Sequence, residues 1–140
     1  MRPRTPPLTT DCVIFNADGD VLLIERGSEP FKGLLALPGG FVEIGETVED
    51  ACRREVLEET SIRIGRLVLV GVYSDPDRDP RGHTCSIAFM THIGRRSTQA
   101  AHAKAGDDAA RVAWVRRPLG EKLAFDHVRI IGNAMRLRDR

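Results

Sequence analysis

A mixed α/β (or α+β) architecture, with two helices packed on a mostly mixed sheet, is predicted by three features of the sequence. Apolar runs of strand length recur along the chain, two segments carry helical patterning, and no repeat, low-complexity tract or internal linker separates them. With 140 residues, the chain is sized for a single domain, 1–140, built around one core.

The elements follow in order. Residues 1–8 are basic and proline-rich and read as a loose leader. Residues 11–26 read as a hairpin, with apolar runs Cys12–Phe15 and Val21–Ile24 on either side of Asp18-Gly19. Residues 27–40 read as loop, ending in Leu37-Pro38-Gly39-Gly40. The spacing predicts a helix over 47–60, opened by Thr47 with Asp50 three positions on, a capping box with aspartate in the usual Glu/Gln place. Apolar runs 66–74 and 84–92 predict two strands, separated by a Pro/Asp/Arg/Gly loop, Asp75 to Gly82. Residues 94–108 are polar and expected to be exposed. Val112–Val115 predicts a further strand, and 126–138 an amphipathic helix whose basic end, Arg136 to Arg140, reads as solvated.

Charge and cysteine usage narrow the function classes. Lys plus Arg is 21 and Asp plus Glu is 20, so the net charge of +1 offers no bulk attraction to a nucleic-acid polymer or an anionic membrane. An anionic ligand must be held by a local site. No apolar run approaches the roughly 20 residues of a membrane span, and the N-terminus lacks the apolar stretch of a secretion signal. Cys12, Cys52 and Cys85 form neither a CxxC pair nor a disulfide framework, which points to a reduced, cytoplasmic protein. Neither a P-loop nor a dinucleotide-binding fingerprint is present.

The predicted helix 47–60 carries the strongest chemical signal. Val48, Ala51 and Cys52 fall on one stripe, and Glu55, Glu58 and Glu59 continue it, because spacings of three and four share a face. A run of charge is ordinarily a solvated face, but that face should lie opposite the apolar stripe. Three carboxylates within about one turn repel each other, and burial raises their pKa values. A hard dication such as Mg²⁺ relieves both, taking oxygen ligands and bridging to substrate phosphates. Gly39-Gly40 lets backbone approach a ligand closely, and Glu46 with Arg54 would tie the preceding loop to the helix.

Taken together, Gly40 to Ile62 resembles the Nudix box, G-x5-E-x7-R-E-U-x-E-E-x-G-U with U a large aliphatic residue. Five residues separate Gly40 from Glu46, seven more precede Arg54-Glu55, and Glu58-Glu59 follow in register. One fixed position differs, Ser61 standing where the family has glycine. The resemblance implies a Nudix-type α/β/α sandwich around a mixed sheet. It also implies hydrolysis of a diphosphate bond in a nucleoside diphosphate derivative with Mg²⁺, or Mn²⁺ as a substitute. Carried over by position, Glu55, Glu58 and Glu59 would bind metal, one of them orienting or deprotonating the attacking water. The carbonyl of Gly39 would be a further ligand, while Glu46 and Arg54 would hold loop and helix together.

Outside the box, Ile24-Glu25-Arg26, the loop 71–83 (GVYSDPDRDPRGH), Ala105 to Ala110 and Leu123 to His127 resemble the ADP-ribose pyrophosphatase branch. That branch implies ADP-ribose as substrate, AMP and ribose 5-phosphate as products, and a homodimer. In the loop, Arg81 is the candidate for a diphosphate or ribose-phosphate oxygen through its planar fork, with Pro76 and Pro80 as stiffeners and Arg26 as a second candidate. The alternative for the loop is an exposed turn, with Asp75, Asp77 and Asp79 balancing Arg78 and Arg81. Tyr73, Trp114 and Phe125 could stack on adenine, although core packing is the ordinary fate of such residues. His83 and His127 are candidate polar contacts. Relatives often carry an acid near Arg111, which leaves Asp107 and Asp108 as candidates for a further catalytic carboxylate. Two other functions stay open. One is hydrolysis of a nucleoside triphosphate or dinucleotide. The other is a non-catalytic ADP-ribose-sensing domain, against which stand the intact acids and the little chain after Phe125 for an added DNA-binding segment.

Overall fold

The computed structural model describes residues 2–94, 103–106 and 109–140. At its centre lies β1 (Leu8–Phe15), which pairs in parallel with β6 (Cys85–His92) along its whole length, from Leu8 beside Cys85 to Phe15 beside His92. Leu8 therefore belongs to the sheet rather than to the leader, while residues 2–7 are exposed and irregular. The turn after β1 forms where Asp18-Gly19 predicts it. Asn16 Oδ1 accepts the N–H groups of Asp18 and Asp20 at 3.0 and 2.9 Å.

The strand that follows, β2 (Val21–Arg26), meets β1 only at Phe15 and Val21. Beyond that pair the two strands part. β3 (Leu35–Ala36) runs beside β2, and β4 (Gly39–Phe41) beside β1, from Thr9 with Phe41 to Asp11 with Gly39. The segment 27–40 is thus not simply loop. Its strands are too short to show an alternating pattern, and they exist because the parting strands leave backbone to be paired. β7 (Ala109–Val115) covers the other side of β2, and β5 (Val68–Tyr73) pairs antiparallel with β6 and forms the sheet's edge.

Alternation along the central strands builds two cores. Cys12, Ile14 and Leu22 pack with Cys52, Val56 and Ile62 beneath α1 (Val48–Thr60). Val13, Phe15, Val21 and Leu23 pack with Ile130, Ile131 and Ala134 of α2 (His127–Arg138) on the other face. A helix on each face of a mixed sheet is the α/β/α sandwich expected.

The ends of α1 set the site. Thr47 is extended, and its Oγ1 accepts the Asp50 N–H at 3.1 Å. Ser61 adopts the left-handed conformation, φ 65°, with its N–H on the Leu57 carbonyl at 2.9 Å. Residues 103–106 lie against this end. The N–H of Lys104 meets the Thr60 carbonyl at 2.9 Å and that of Gly106 meets the Glu59 carbonyl at 2.8 Å, satisfying groups a helix terminus leaves unpaired. Within 94–108, Gly94, Lys104 and Ala105 are exposed as expected, whereas Ala103 packs onto the core under α1. Residues 95–102 and 107–108 lie outside the described residues, and with them the candidates Asp107 and Asp108.

Because Ser61 carries the strained conformation on a Cβ, Ser61→Gly should raise the unfolding free energy by about 1 kcal/mol and leave turnover unchanged. Urea denaturation with a parallel activity assay checks this, and a loss of activity in the folded variant would contradict it.

Candidate functional site

Where β1 and β2 part, the wedge between them opens into a cavity of about 380 Å³, within the range of roughly 300–1,000 Å³ typical of small-molecule sites. Its walls are Thr9 to Asp11 of β1, Ile24 and Arg26 of β2, and Gly39 to Phe41 of β4. Glu55 and Glu59 of α1 close one side. Arg78, Asp79 and Arg81 of the loop after β5 face Phe125 and His127 at the start of α2.

The glutamates do not share one environment. Glu59 is 8% exposed and belongs to the buried stripe of α1 with Ala51, Cys52, Val56 and Thr60. Glu55 is half-buried, whereas the Glu58 side chain is 54% exposed and leans on Arg54 Nη1 at 3.3 Å. The predicted stripe is therefore rotated. Val56 and Thr60 complete it, and Glu58 stands at its outer margin. Arg54 forms a fork on Glu46, Nη2 to Oε1 at 2.6 Å and Nε to Oε2 at 3.0 Å, and also donates to the Phe41 carbonyl at 3.0 Å and to Glu55 at 2.8 Å. These bonds hold the Glu46 carboxyl down to about 2 and raise the Arg54 guanidinium further. The Glu46–Arg54 tie anticipated from the sequence is present.

Both glycines are demanded by close approach. A Cβ on Gly39 would lie 1.9 Å from the Thr10 carbonyl oxygen, and one on Gly40 would lie 2.5 Å from the Glu55 carboxyl carbon. The Gly39 N–H points to Glu59 Oε2 at 3.4 Å.

Opposite the glutamates lies a buried polar network, in which the sequence points to His127 alone as a polar contact. Asp11 accepts from the Ser86 hydroxyl at 2.6 Å and faces His127 Nε2 at 3.2 Å. His127 Nδ1 accepts the Leu37 N–H at 3.0 Å, which places the ring proton on Nε2, toward Asp11. Burial works to raise Asp11, but the His127 ring, the Ser86 hydroxyl and the Arg78 guanidinium outweigh it and keep the carboxyl below its ordinary value. Arg78, 5% exposed, forks onto Asp126 at 2.7 and 2.9 Å and donates to Thr84 Oγ1 at 2.9 Å. Arg78 is therefore balanced from outside the loop, by Asp126, whereas Arg81 pairs with Asp79 within it.

The predicted substrate contacts do line the cavity. Arg81 is half-exposed, gripped by Asp79 at 2.9 and 3.1 Å, with its guanidinium 5.8 Å from the Phe125 ring centre and 5.9 Å from that of Phe41. Arg26 donates to the Pro30 carbonyl at 2.7 Å and lies 4.9 Å from the Phe125 centre. Of the three aromatics weighed for stacking, Phe125 alone lines this cavity. Tyr73 is buried in the core with its hydroxyl oxygen accepting from Asn133 Nδ2, and Trp114 packs toward the core beneath α1. His83 is on the surface, bonded to the Ser74 carbonyl, and Arg111 pairs with Glu25 at 3.0 Å.

Among the described residues, no three histidine, cysteine, aspartate or glutamate side chains converge closely enough to hold a metal ion as placed. The donor set nonetheless fits a hard dication. Burial, then the neighbouring Glu55 charge, pushes Glu59 up to about 9, and burial raises Glu55 as well. Thr10 Oγ1, fully buried at the same wall, has no hydrogen-bond partner among the described residues. Two crowded carboxylates with glycine backbone beside them are what a cation of this kind neutralises.

Glu59 is raised in the folded state, so without metal its contribution to stability is complete below about pH 4.5, its ordinary value, and is lost as pH climbs toward about 9. Metal-free protein is expected to lose melting temperature across that window, and Glu59→Gln should flatten the loss. An identical slope in the variant would contradict the assignment of the shift to Glu59.

Comparison with known proteins agrees with this geometry. The NUDIX domain pattern matches residues 5–131. The chain is 47% identical over 134 residues to an ADP-ribose pyrophosphatase of Methanocaldococcus jannaschii, covering 96% of this chain and 76% of that protein. It is 32% identical over 130 residues to an ADPR responsive transcriptional repressor, NtrR, of Acinetobacter baylyi, covering 88% of this chain and half of that protein. The NUDIX domain of Shewanella oneidensis NrtR, solved with ADP ribose, superposes with a TM-score of 0.85 at 28% identity, covering 98% of this chain and 90% of that one.

Proposed function

We propose, from the premise that this chain belongs to the NUDIX domain family, that it hydrolyses the diphosphate bond of ADP-ribose to give AMP and ribose 5-phosphate. The observation that carries this reading is the cavity itself. It sets Glu55 and Glu59 of α1 on one wall and Arg81, Arg26 and Phe125 on the other, as a molecule with a diphosphate between two other moieties requires. The 47% identity to an ADP-ribose pyrophosphatase supports the choice of substrate.

Nudix hydrolases generally use a divalent metal, and here Glu55, Glu58 and Glu59 with the Gly39 carbonyl would hold Mg²⁺, or Mn²⁺ in its place. When bound, the ion supplies charge neutralisation of the diphosphate and activation of the attacking water. Arg54, through Glu46 and the Phe41 carbonyl, fixes the loop before α1 against the helix and keeps Glu58 at the rim. Arg81, its fork steadied by Asp79, meets phosphate or ribose-phosphate oxygen, and Arg26 borders the same space. Phe125 offers a ring face to the base.

The three cysteines are free, consistent with a reducing cytoplasm, and among the described residues no helix is long and apolar enough to cross a membrane. A homodimer through β5 is the assembly we favour, because Val68, Leu69 and Val72 are exposed on this edge strand.

Similarity to the ADPR-responsive repressor favours one second reading, an ADP-ribose-sensing domain without turnover. A substrate panel of ADP-ribose, NADH, a diadenosine polyphosphate and dGTP, each with Mg²⁺, tests the specificity. The highest kcat/KM is expected for ADP-ribose. A higher value for another compound would keep the hydrolase and overturn the role given to the 71–83 loop.

A further inference from the structure

Arg78 and Asp126 are 48 residues apart in the sequence and meet in a two-bond fork, Nη2 to Oδ1 at 2.7 Å and Nε to Oδ2 at 2.9 Å. The third arm of the guanidinium holds Thr84 at 2.9 Å, where the loop returns to β6. Asp126 occupies the N-cap position of α2, the place where an aspartate ordinarily accepts N–H groups of its own helix. Its side chain makes no capping bond, because both oxygens are turned to Arg78.

On either side of this pair stand the two groups facing the cavity. Three residues after Arg78 comes Arg81, steadied by a buried Asp79. Immediately before Asp126 comes Phe125, held at φ 53°, a backbone conformation that costs energy for a residue with a Cβ. Ala124 and His127, its other neighbours, are buried and bonded to Leu35 and Leu37. The strained turn and the loop are thus tied by this buried pair, which Asp11 flanks at 3.5 Å from Arg78; the other ion pair between loop and helix, Arg129 with Asp75 at 3.3 Å, is exposed.

We propose that the Arg78–Asp126 pair is a clamp that sets the spacing between Arg81 and Phe125, which makes Arg78 a positioning residue for nucleotide recognition. It touches no reacting atom and acts through Arg81, whose place over the Phe125 ring it fixes. This rests on the ADP-ribose reading above, and the test separates the two.

Steady-state kinetics with ADP-ribose and Mg²⁺ on Asp126→Asn and Arg78→Lys should show KM raised about tenfold with kcat within about twofold of the parent. In an Arg81→Ala background, adding Asp126→Asn should change KM by less than about twofold, since the group it acts through is gone. Hydrogen exchange without any ligand should show faster exchange confined to amides 76–84 in Asp126→Asn. Unchanged KM in both variants, a full additional loss in the Arg81→Ala background, or faster exchange across the whole sheet would overturn the clamp. If the parent protein neither binds nor hydrolyses ADP-ribose, the substrate reading fails. Exchange at 76–84 then decides the clamp, with local loosening supporting it and unchanged protection overturning it.

Discussion

Glu59→Gln is expected to lower kcat by roughly 100- to 10,000-fold while the protein stays folded. Glu59 is the most buried of the three helix acids, it lies against the Gly39 amide, and its environment opposes an uncompensated negative charge. Glutamine keeps the volume and removes the charge that a divalent ion needs. Glu58→Gln should also cut turnover, yet by less at saturating metal, since Glu58 already lies at the exposed rim on Arg54. Steady-state rates across a Mg²⁺ titration, with circular dichroism to confirm folding, check both. A Glu59→Gln rate near the parent's would remove Glu59 from the reaction.

The second large effect separates stability from activity at adjacent residues. Gly39→Ala should destabilise the fold by about 3 kcal/mol or more, because its Cβ meets the backbone of Thr10 and Asp11, which cannot retreat without breaking the pairing of β1 with β4. Gly40→Ala meets instead the carboxylate of Glu55 at 2.5 Å. A side-chain end can swing away, so this variant should fold with little loss of melting temperature but lose most of its turnover, with Glu55 displaced. Thermal melts and rates measured on both proteins decide the matter. Equal melting temperatures, or a Gly40→Ala protein as active as the parent, would contradict the close packing described.

Both predictions draw on residues that were legible in the sequence, because the box is local. Thr47, the helix, Glu46 with Arg54, and the two glycines are all set by spacings within about one helix and its entry loop. Helical phase alone placed Glu58 with Glu55 and Glu59. It missed that Val56 and Thr60 are the buried neighbours, since the direction a helix turns to the sheet depends on the strands it covers. Asp11, Ser86, Arg78 and Asp126 were not legible as a site. Their partners lie far along the chain, 75 residues for Asp11 with Ser86, and no short-range pattern joins them. The hints available were His127, a candidate polar contact, and an aspartate at the head of an apolar strand run, a charge that must find partners once buried. The parting of β1 and β2, which opens the cavity, was likewise not legible, because β3 and β4, which pair with the parted strands, are too short to announce themselves.

The central claim is that the α1 glutamates serve metal-dependent cleavage of a diphosphate held between the two walls of the cavity. It is tested most directly by following ADP-ribose with purified, folded protein by phosphorus NMR, with Mg²⁺ and again after chelation. Equimolar AMP and ribose 5-phosphate, appearing only with the metal, is the result expected. ADP-ribose that binds the protein and is recovered intact in the presence of Mg²⁺ would contradict it and identify the chain as a sensing domain.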